Sequence, residues 1–234
     1  MNNEIKDHTE RGKWTIVCHN EVGSEFRDKN GMLRMIMSIW SFKRKKISYG
    51  LLMKQKTKPC AHSRIQQRSV KEWETYAPVV NWISVCTLLA ILRIHNLENR
   101  LINFFLVFPQ ADLDIDIFME LPMGMKVHGD RWHVLKLNNA LYGLKRAREN
   151  WFDHLKKGLE SDLSGQNFTQ SELYPCVFYI CDCLVLCYVD DYVLISRDKK
   201  TIDFIVQSLI GGPEKYLLTD KGTIQNYLSV DINP

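Results

Sequence analysis

No uninterrupted apolar run in these 234 residues reaches the roughly 18 that a membrane span needs. The longest candidate, Leu184 to Ile195, is broken by the adjacent pair Asp190-Asp191. A secretory signal is also missing. The first stretch carries Glu4, Asp7, Glu10 and Arg11 and has no apolar h-region. No internal repeat is present, and neither sign of charge dominates. Lys and Arg number 31 against 27 Asp and Glu, a net charge of +4 that is mildly basic but too small to name a partner. These absences predict an intracellular protein, cytoplasmic or nuclear, with no membrane contact. Its seven cysteines, an odd number, are expected to stay reduced.

Apolar residues make up 45% of the chain and aromatic ones 11%, enough for a packed core. Charged residues stand at 25%, the globular average, so low-complexity disorder, collagen and a coiled-coil rod are excluded as the main content. The length allows one large domain or two small ones. Residues 1–37 are polar and poorly periodic apart from an apolar patch at Trp14–Cys18. They are expected to form a poorly defined, fraying N-terminal segment, with the main domain running over 38–234.

From Ile39 the pattern sharpens. Ile39-Trp40-Ser41-Phe42 alternates as a strand does and runs into Lys43, Arg44, Lys45 and Lys46. A turn at Ser48-Tyr49-Gly50 leads to Leu51-Leu52-Met53 with Lys54, Lys56 and Lys58, which reads as a hairpin. Seven basic residues and no acidic ones fall between Phe42 and Lys58. Helical spacing covers Val85 to Leu97 and about Arg146 to Ser161. An amphipathic helix over Ile202–Ile210 ends at Gly211-Gly212-Pro213. Phe104–Phe108, Trp132–Leu137, Val177–Ile180 and Leu184–Ile195 read as strands. Strands and helices alternate without a βαβ rhythm, so the fold class is α+β.

The sharpest feature is Leu184-Val-Leu-Cys-Tyr-Val-Asp-Asp-Tyr-Val-Leu-Ile195, two apolar strand halves around paired carboxylates. Adjacent carboxylates repel each other, and burying either unpaired is costly. A hairpin turn that directs both toward a divalent cation resolves this, because Mg²⁺ takes one or two carboxylates and leaves its other sites to water and phosphate. The competing reading is an exposed Asp-Asp turn with no ligand, since Asp is a common turn former. Zinc is disfavoured: Cys181-Asp-Cys183 with Cys187 lacks four-ligand spacing.

Tyr188-Val189-Asp190-Asp191 resembles the catalytic hairpin of reverse transcriptases, and the text around it resembles one branch, the copia-like retrotransposon polymerases. Trp73-Glu-Thr-Tyr-Ala-Pro-Val-Val-Asn-Trp-Ile-Ser84, Phe108-Pro-Gln-Ala111, Ile117-Phe-Met-Glu-Leu-Pro122, Leu141-Tyr-Gly-Leu-Lys145 and Trp151-Phe152 look like that family's blocks, in its order. Asp220 to Leu228 resembles the block after the catalytic hairpin. The resemblance implies a right-hand polymerase, fingers and palm, with an antiparallel palm sheet packed on helices and the thumb missing. It implies an RNA or DNA template with primer, deoxynucleoside triphosphates and two Mg²⁺ as partners, and leaves the oligomeric state unspecified.

By the same resemblance, Asp190 and Asp191 are the metal ligands. Lys56 and Lys58 neutralise the triphosphate, and Phe108 packs under the sugar or, alternatively, simply fills the core. Lys43, Arg44, Lys45, Lys46, Tyr188, Tyr227 and Leu228 contact nucleic acid, although the basic hairpin also reads as a solvated face. The chain departs from the family at working positions. Asn103 stands where a third metal-binding Asp is expected, Arg146 where a Gln meets the nucleotide or template, and Glu149 where the family has Arg. The resemblance therefore implies either template-directed nucleotide addition or a catalytically inactive, nucleic-acid-binding remnant.

Overall fold

The computed structural model describes residues 2–46, 51–62, 77–78, 80–127, 132–161, 167–227 and 230–232. In chain order these form helix α1 (Asn2–Glu10), strands β1 (Trp14–Cys18), β2 (Met35–Ile36), β3 (Ser38–Lys46) and β4 (Leu52–Ala61), helix α2 (Trp82–Ile94), strand β5 (Glu98–Phe104) and the single helical turn α3 (Val107–Gln110). Next come β6 (Asp112–Met119), β7 (His133–Asn139), helix α4 (Ala147–Glu160), β8 (Thr169–Gln170), β9 (Val177–Ile180), β10 (Cys183–Tyr188), β11 (Asp191–Ser196), helix α5 (Lys199–Gly211), β12 (Leu218–Asp220), β13 (Asn226–Tyr227) and β14 (Val230–Asp231). The fold is mixed α/β and divides into two compact units, Met1–Thr75 with Ala111–Asn150, and Tyr76–Gln110 with Trp151–Pro234.

The second unit is built on a six-stranded sheet of order β12-β5-β11-β10-β9-β8. Period-two alternation gives this sheet two different faces. Leu101, Val193 and Ile195 meet Val85 and Leu92 of α2, together with Val177, Leu186, Ile224 and Tyr227. On the other parity, Phe104 is almost wholly buried among rings, 5.4 Å from Trp151, 4.7 Å from Tyr192 and 5.6 Å from Tyr216. Helix α5 buries Ile202, Ile205, Val206 and Leu209, the i, i+3, i+4, i+7 stripe of an amphipathic helix. Its N-cap Asp198 accepts from the Lys200 amide. Gly158 lets α4 approach closely: a Cβ there would collide with the Tyr216 hydroxyl, which donates to the His154 carbonyl at 3.0 Å.

The first unit holds a four-stranded sheet, β1-β7-β6-β2, and the separate β3–β4 hairpin. Its apolar cluster joins Val22, Leu33, Phe118 and Val134, with Phe26 edge-on to Phe118 at 5.0 Å. The end of β4 is tied to the Tyr142-Gly143 turn by the Ala61 amide donating to the Tyr142 carbonyl at 2.7 Å. Gly143 sits at φ 91°, and a Cβ on it would strike the Ala61 carbonyl.

Two expectations are corrected. The segment before residue 38 does not fray throughout: β1 pairs with β7 along its whole length, from Trp14 opposite Leu137 to Cys18 opposite His133. The run Phe104–Phe108 is not one strand. β5 stops at Phe104, Leu106 takes φ 53°, and Val107–Gln110 is helical, so Phe108 lies on a turn instead of a strand. An unbroken apolar run carries no periodicity to mark such a bend. All seven cysteines are free thiols, and burial pushes Cys176 up to about 11 and Cys183 up to about 12. Among the described residues no helix is long and apolar enough to cross a membrane.

Candidate active site

Strands β10 and β11 pair from Cys183 opposite Ser196 to Tyr188 opposite Asp191, leaving Val189 and Asp190 as a two-residue turn. Val189 takes φ 50°, in the left-handed region that a β-branched side chain disfavours. Such a residue costs of order 1–3 kcal/mol and persists only where its surroundings hold it. They do so here: the Val189 carbonyl accepts from Trp151 Nε1 at 2.8 Å and from the Tyr192 hydroxyl at 3.3 Å. The Asp190 carbonyl accepts from the Phe104 amide at 2.8 Å and from Asn103 Nδ2 at 3.0 Å. The aromatic face of the sheet therefore fixes the turn that carries both aspartates, with Asp190 exposed and Asp191 half-buried.

Asn103 sits on the neighbouring strand directly across from Asp191. Its amide nitrogen faces two acceptors, the Asp190 carbonyl and Asp191 Oδ1 at 2.9 Å. The same oxygen of Asp191 accepts from Lys221 Nζ, also at 2.9 Å. Lys221 follows β12, whose Thr219 pairs with Asn103, so three adjacent strands deliver the cluster. The chain is clamped there: the Lys221 amide donates to the Leu101 carbonyl and the Leu101 amide to the Gly222 carbonyl, both at 2.8 Å. Asp220 Oδ1 accepts from the Gly222 amide at 2.8 Å.

This donor set does not fit two divalent cations. A carboxylate at 103 would face the carboxylate of Asp191 and the carbonyl of Asp190, and a cation would be needed between them. The amide instead donates to both, and the ammonium of Lys221 neutralises the charge that remains. Among the described residues no group of three or more His, Cys, Asp or Glu could hold a metal ion.

The other residues singled out in the sequence divide between the two units. Tyr188 packs partly buried against the α2 face of the sheet. Tyr227, expected to contact nucleic acid, is only 2% exposed within that cluster, and burial takes its ring out of reach of a ligand. Leu228 lies outside the described residues. Phe108 is half-buried on α3.

In the first unit, Lys43 stands opposite Lys56, Arg44 opposite Gln55 and Lys45 opposite Lys54. Lys43 and Arg44 are exposed and Lys56 half-buried, while of Lys45 and Lys46 only the backbone is described. The ammonium of Lys58 lies 3.7 Å over the Tyr142 ring, a cation–π contact. Arg146 is engaged by acids: Nε donates to Glu149 at 2.8 Å and Nη1 to Asp114. Arg146 and Glu149 therefore satisfy one another. Asp112 and Asp116, near in sequence to Asn103, also have partners in this unit, Asn139 at 3.0 Å and Lys136 at 2.8 Å.

The profile of the family described as reverse transcriptase (RNA-dependent DNA polymerase) matches residues 27–234. The chain belongs to this family. It is 27% identical over 243 residues to the retrovirus-related Pol polyprotein from transposon TNT 1-94 of Nicotiana tabacum, covering 98% of this chain and 18% of that protein. To the corresponding polyprotein from transposon RE1 of Arabidopsis thaliana it is 24% identical over 197 residues, covering 82% of this chain and 13% of the relative. The chain thus spans less than a fifth of the curated relatives it matches. Among solved structures, a telomerase from Candida albicans is similar with a TM-score of 0.46 and 10% identity, over 99% of this chain and 48% of that one.

For a reverse transcriptase domain of retrotransposon type, the residue that sequence reasoning passed over is Lys221. It lies inside the block recognised after the hairpin, 30 residues from Asp191. Only the strand order β12-β5-β11 reveals that it reaches the acid.

Proposed function

We propose that this chain is the fingers-and-palm region of a copia-like reverse transcriptase that engages a primer on an RNA or DNA template and has largely lost the capacity to extend it. The observation that carries this reading is the family match over residues 27–234 around a hairpin that sets Asp190 and Asp191 beside Asn103. In this reading the six-stranded sheet is the palm and the β3–β4 hairpin belongs to the fingers. Lys43–Lys46 and Lys54–Lys58 meet phosphates. Like charges directly opposite on paired strands destabilise a hairpin, and an anionic backbone lying along Lys43, Lys54 and Lys56 relieves that repulsion.

Polymerisation in the family's manner requires Mg²⁺ on Asp190, Asp191 and a third carboxylate. Asn103 supplies none, and preorganised charge is usually the largest catalytic contribution. A deficit of about 4 kcal/mol lowers the rate roughly a thousandfold. The test is primer extension by the purified chain with Mg²⁺ and with Mn²⁺, beside salt-dependent binding of the same primer–template. Extension should be absent or barely detectable, while binding should weaken with salt, each phosphate contact steepening the log–log slope by about 0.9. Robust extension by the unaltered chain overturns the loss of catalysis, and binding that ignores salt overturns the phosphate contacts.

A further inference from the structure

Asp191 already receives a counter-charge and a second donor from this chain. Its Oδ1 takes two N–H donors at 2.9 Å, one from the ammonium of Lys221 and one from the amide of Asn103. Asn103 is fixed by its second bond to the Asp190 carbonyl, and the backbone of Lys221 by its bond to Leu101. The ion pair is part-exposed, 43% for Lys221 and 31% for Asp191, so water reaches the site and a cation could compete. An ammonium carries one positive charge and three donors, and it repels a divalent ion arriving at the same oxygen.

We propose that Lys221, together with Asn103, is the resident counter-charge of Asp191 and excludes divalent cations from the centre. This rests on reading Asp190 and Asp191 as the family's metal carboxylates. It assigns Lys221 a positioning role: the residue satisfies Asp191, and the hairpin stays intact without metal. Within this scheme two residues act in the same direction. Asn103 carries no negative charge that would call for a cation, and Lys221 carries a positive charge that stands in for one.

The experiment is a Mn²⁺ titration followed by electron paramagnetic resonance, which counts the free ion without any turnover. It compares the unaltered chain with Lys221→Leu, Lys221→Arg, Asn103→Asp and the double variant Lys221→Leu/Asn103→Asp, each checked for folding by circular dichroism. The unaltered chain and Lys221→Arg should leave Mn²⁺ free through the millimolar range. Lys221→Leu should tighten binding about tenfold, the scale of removing one like charge a few ångströms from a divalent ion in a water-like medium, and the double variant should bind tightest.

Mn²⁺ binding by the unaltered chain as tight as that of the double variant overturns the proposal. So does an Asn103→Asp variant that gains all the affinity while Lys221→Leu gains none. A folded double variant that takes up no Mn²⁺ fails differently, because it removes Asp190 and Asp191 from the metal role on which the proposal rests. If the variants at 103 do not fold, Lys221→Leu against Lys221→Arg still decides.

Discussion

The two compact units solve the burial problem with different chemistry. Around β5 and β11, rings pack on rings, and the charges of the sheet are met by opposite charges: Asp191 by Lys221, and Arg100, in the middle of β5, by Asp203 and Asp220. In the β1-β7-β6-β2 unit, acids alternate along β6, and each finds a polar partner: Asn139 for Asp112, Arg146 for Asp114 and Lys136 for Asp116. That unit also buries two histidines, His8 stacked on Trp14 and His19 stacked on Trp132. Ring burial is indifferent to pH and salt, whereas ion pairs respond to both and the buried His8 imidazole responds to pH. The units should therefore respond to different perturbations, and the larger losses should come from the ring-packed one.

Removing the Phe104 ring gives the largest expected effect. It leaves a cavity bounded by Trp151, Tyr192 and Tyr216, and two of these residues also hold the Val189 carbonyl. Phe104→Ala should cost about 3–5 kcal/mol in urea unfolding, with the same loss at pH 5 and pH 7.5. A cost below about 1 kcal/mol, inside the range of ordinary surface substitutions and conservative swaps, would mean that the rings are not the source of this unit's stability.

The first unit should show itself in its pH dependence. Burial pulls the His8 imidazole down to about 4 from its ordinary 6.5, so the folded protein keeps it neutral. Between those two values the unfolded chain binds the extra proton, and stability falls as the pH drops. The contribution is fully present above pH 6.5 and is lost progressively toward pH 4, up to about 3 kcal/mol. His8→Phe should flatten that part of the profile while leaving stability at pH 7.5 within about 1 kcal/mol. An unchanged slope would place the acid sensitivity elsewhere.

How much of this could be read from the sequence follows the same division. The strand Val177–Ile180 and the hairpin around Asp190-Asp191 were legible, because apolar runs bounded by turn residues have few alternatives. Helix α5 extends three residues ahead of its expected start at Ile202, since capping by Asp198 and not apolar spacing begins it. Strand β6 alternates Asp112, Leu113, Asp114, Ile115, Asp116 and Ile117 in period two, a signal that was present and passed over in favour of the carboxylates. The bend at Leu106 left no trace, because Phe104-Phe105-Leu106-Val107-Phe108 is apolar throughout. Lys221 was invisible for another reason: strand order, not spacing, sets its distance to Asp191.

The smallest expected effect is at Arg146, and it tests whether the first unit's ion pairs act together or only coincide. The guanidinium bridges Glu149, one turn along the chain, and Asp114 on β6. Hydrogen bonds donated to Glu149 and Asp114 push its proton affinity above the ordinary arginine value, although burial opposes them. Glu149 is the least exposed of the three side chains, at 15%. Arg146→Met keeps most of the aliphatic bulk but leaves two carboxylates facing each other, a loss of about 1 kcal/mol at low salt for a part-exposed cluster. Glu149→Gln alone should cost less, since Asp114 still neutralises the arginine. If the three charges form one unit, Arg146→Met/Glu149→Gln should be less destabilised than the sum of the single changes, by about 0.5 kcal/mol or more in a double-mutant cycle, with the difference shrinking in high salt. Strict additivity would make Arg146 and Glu149 independent surface charges, and the pairing of their side chains would then have no energetic basis.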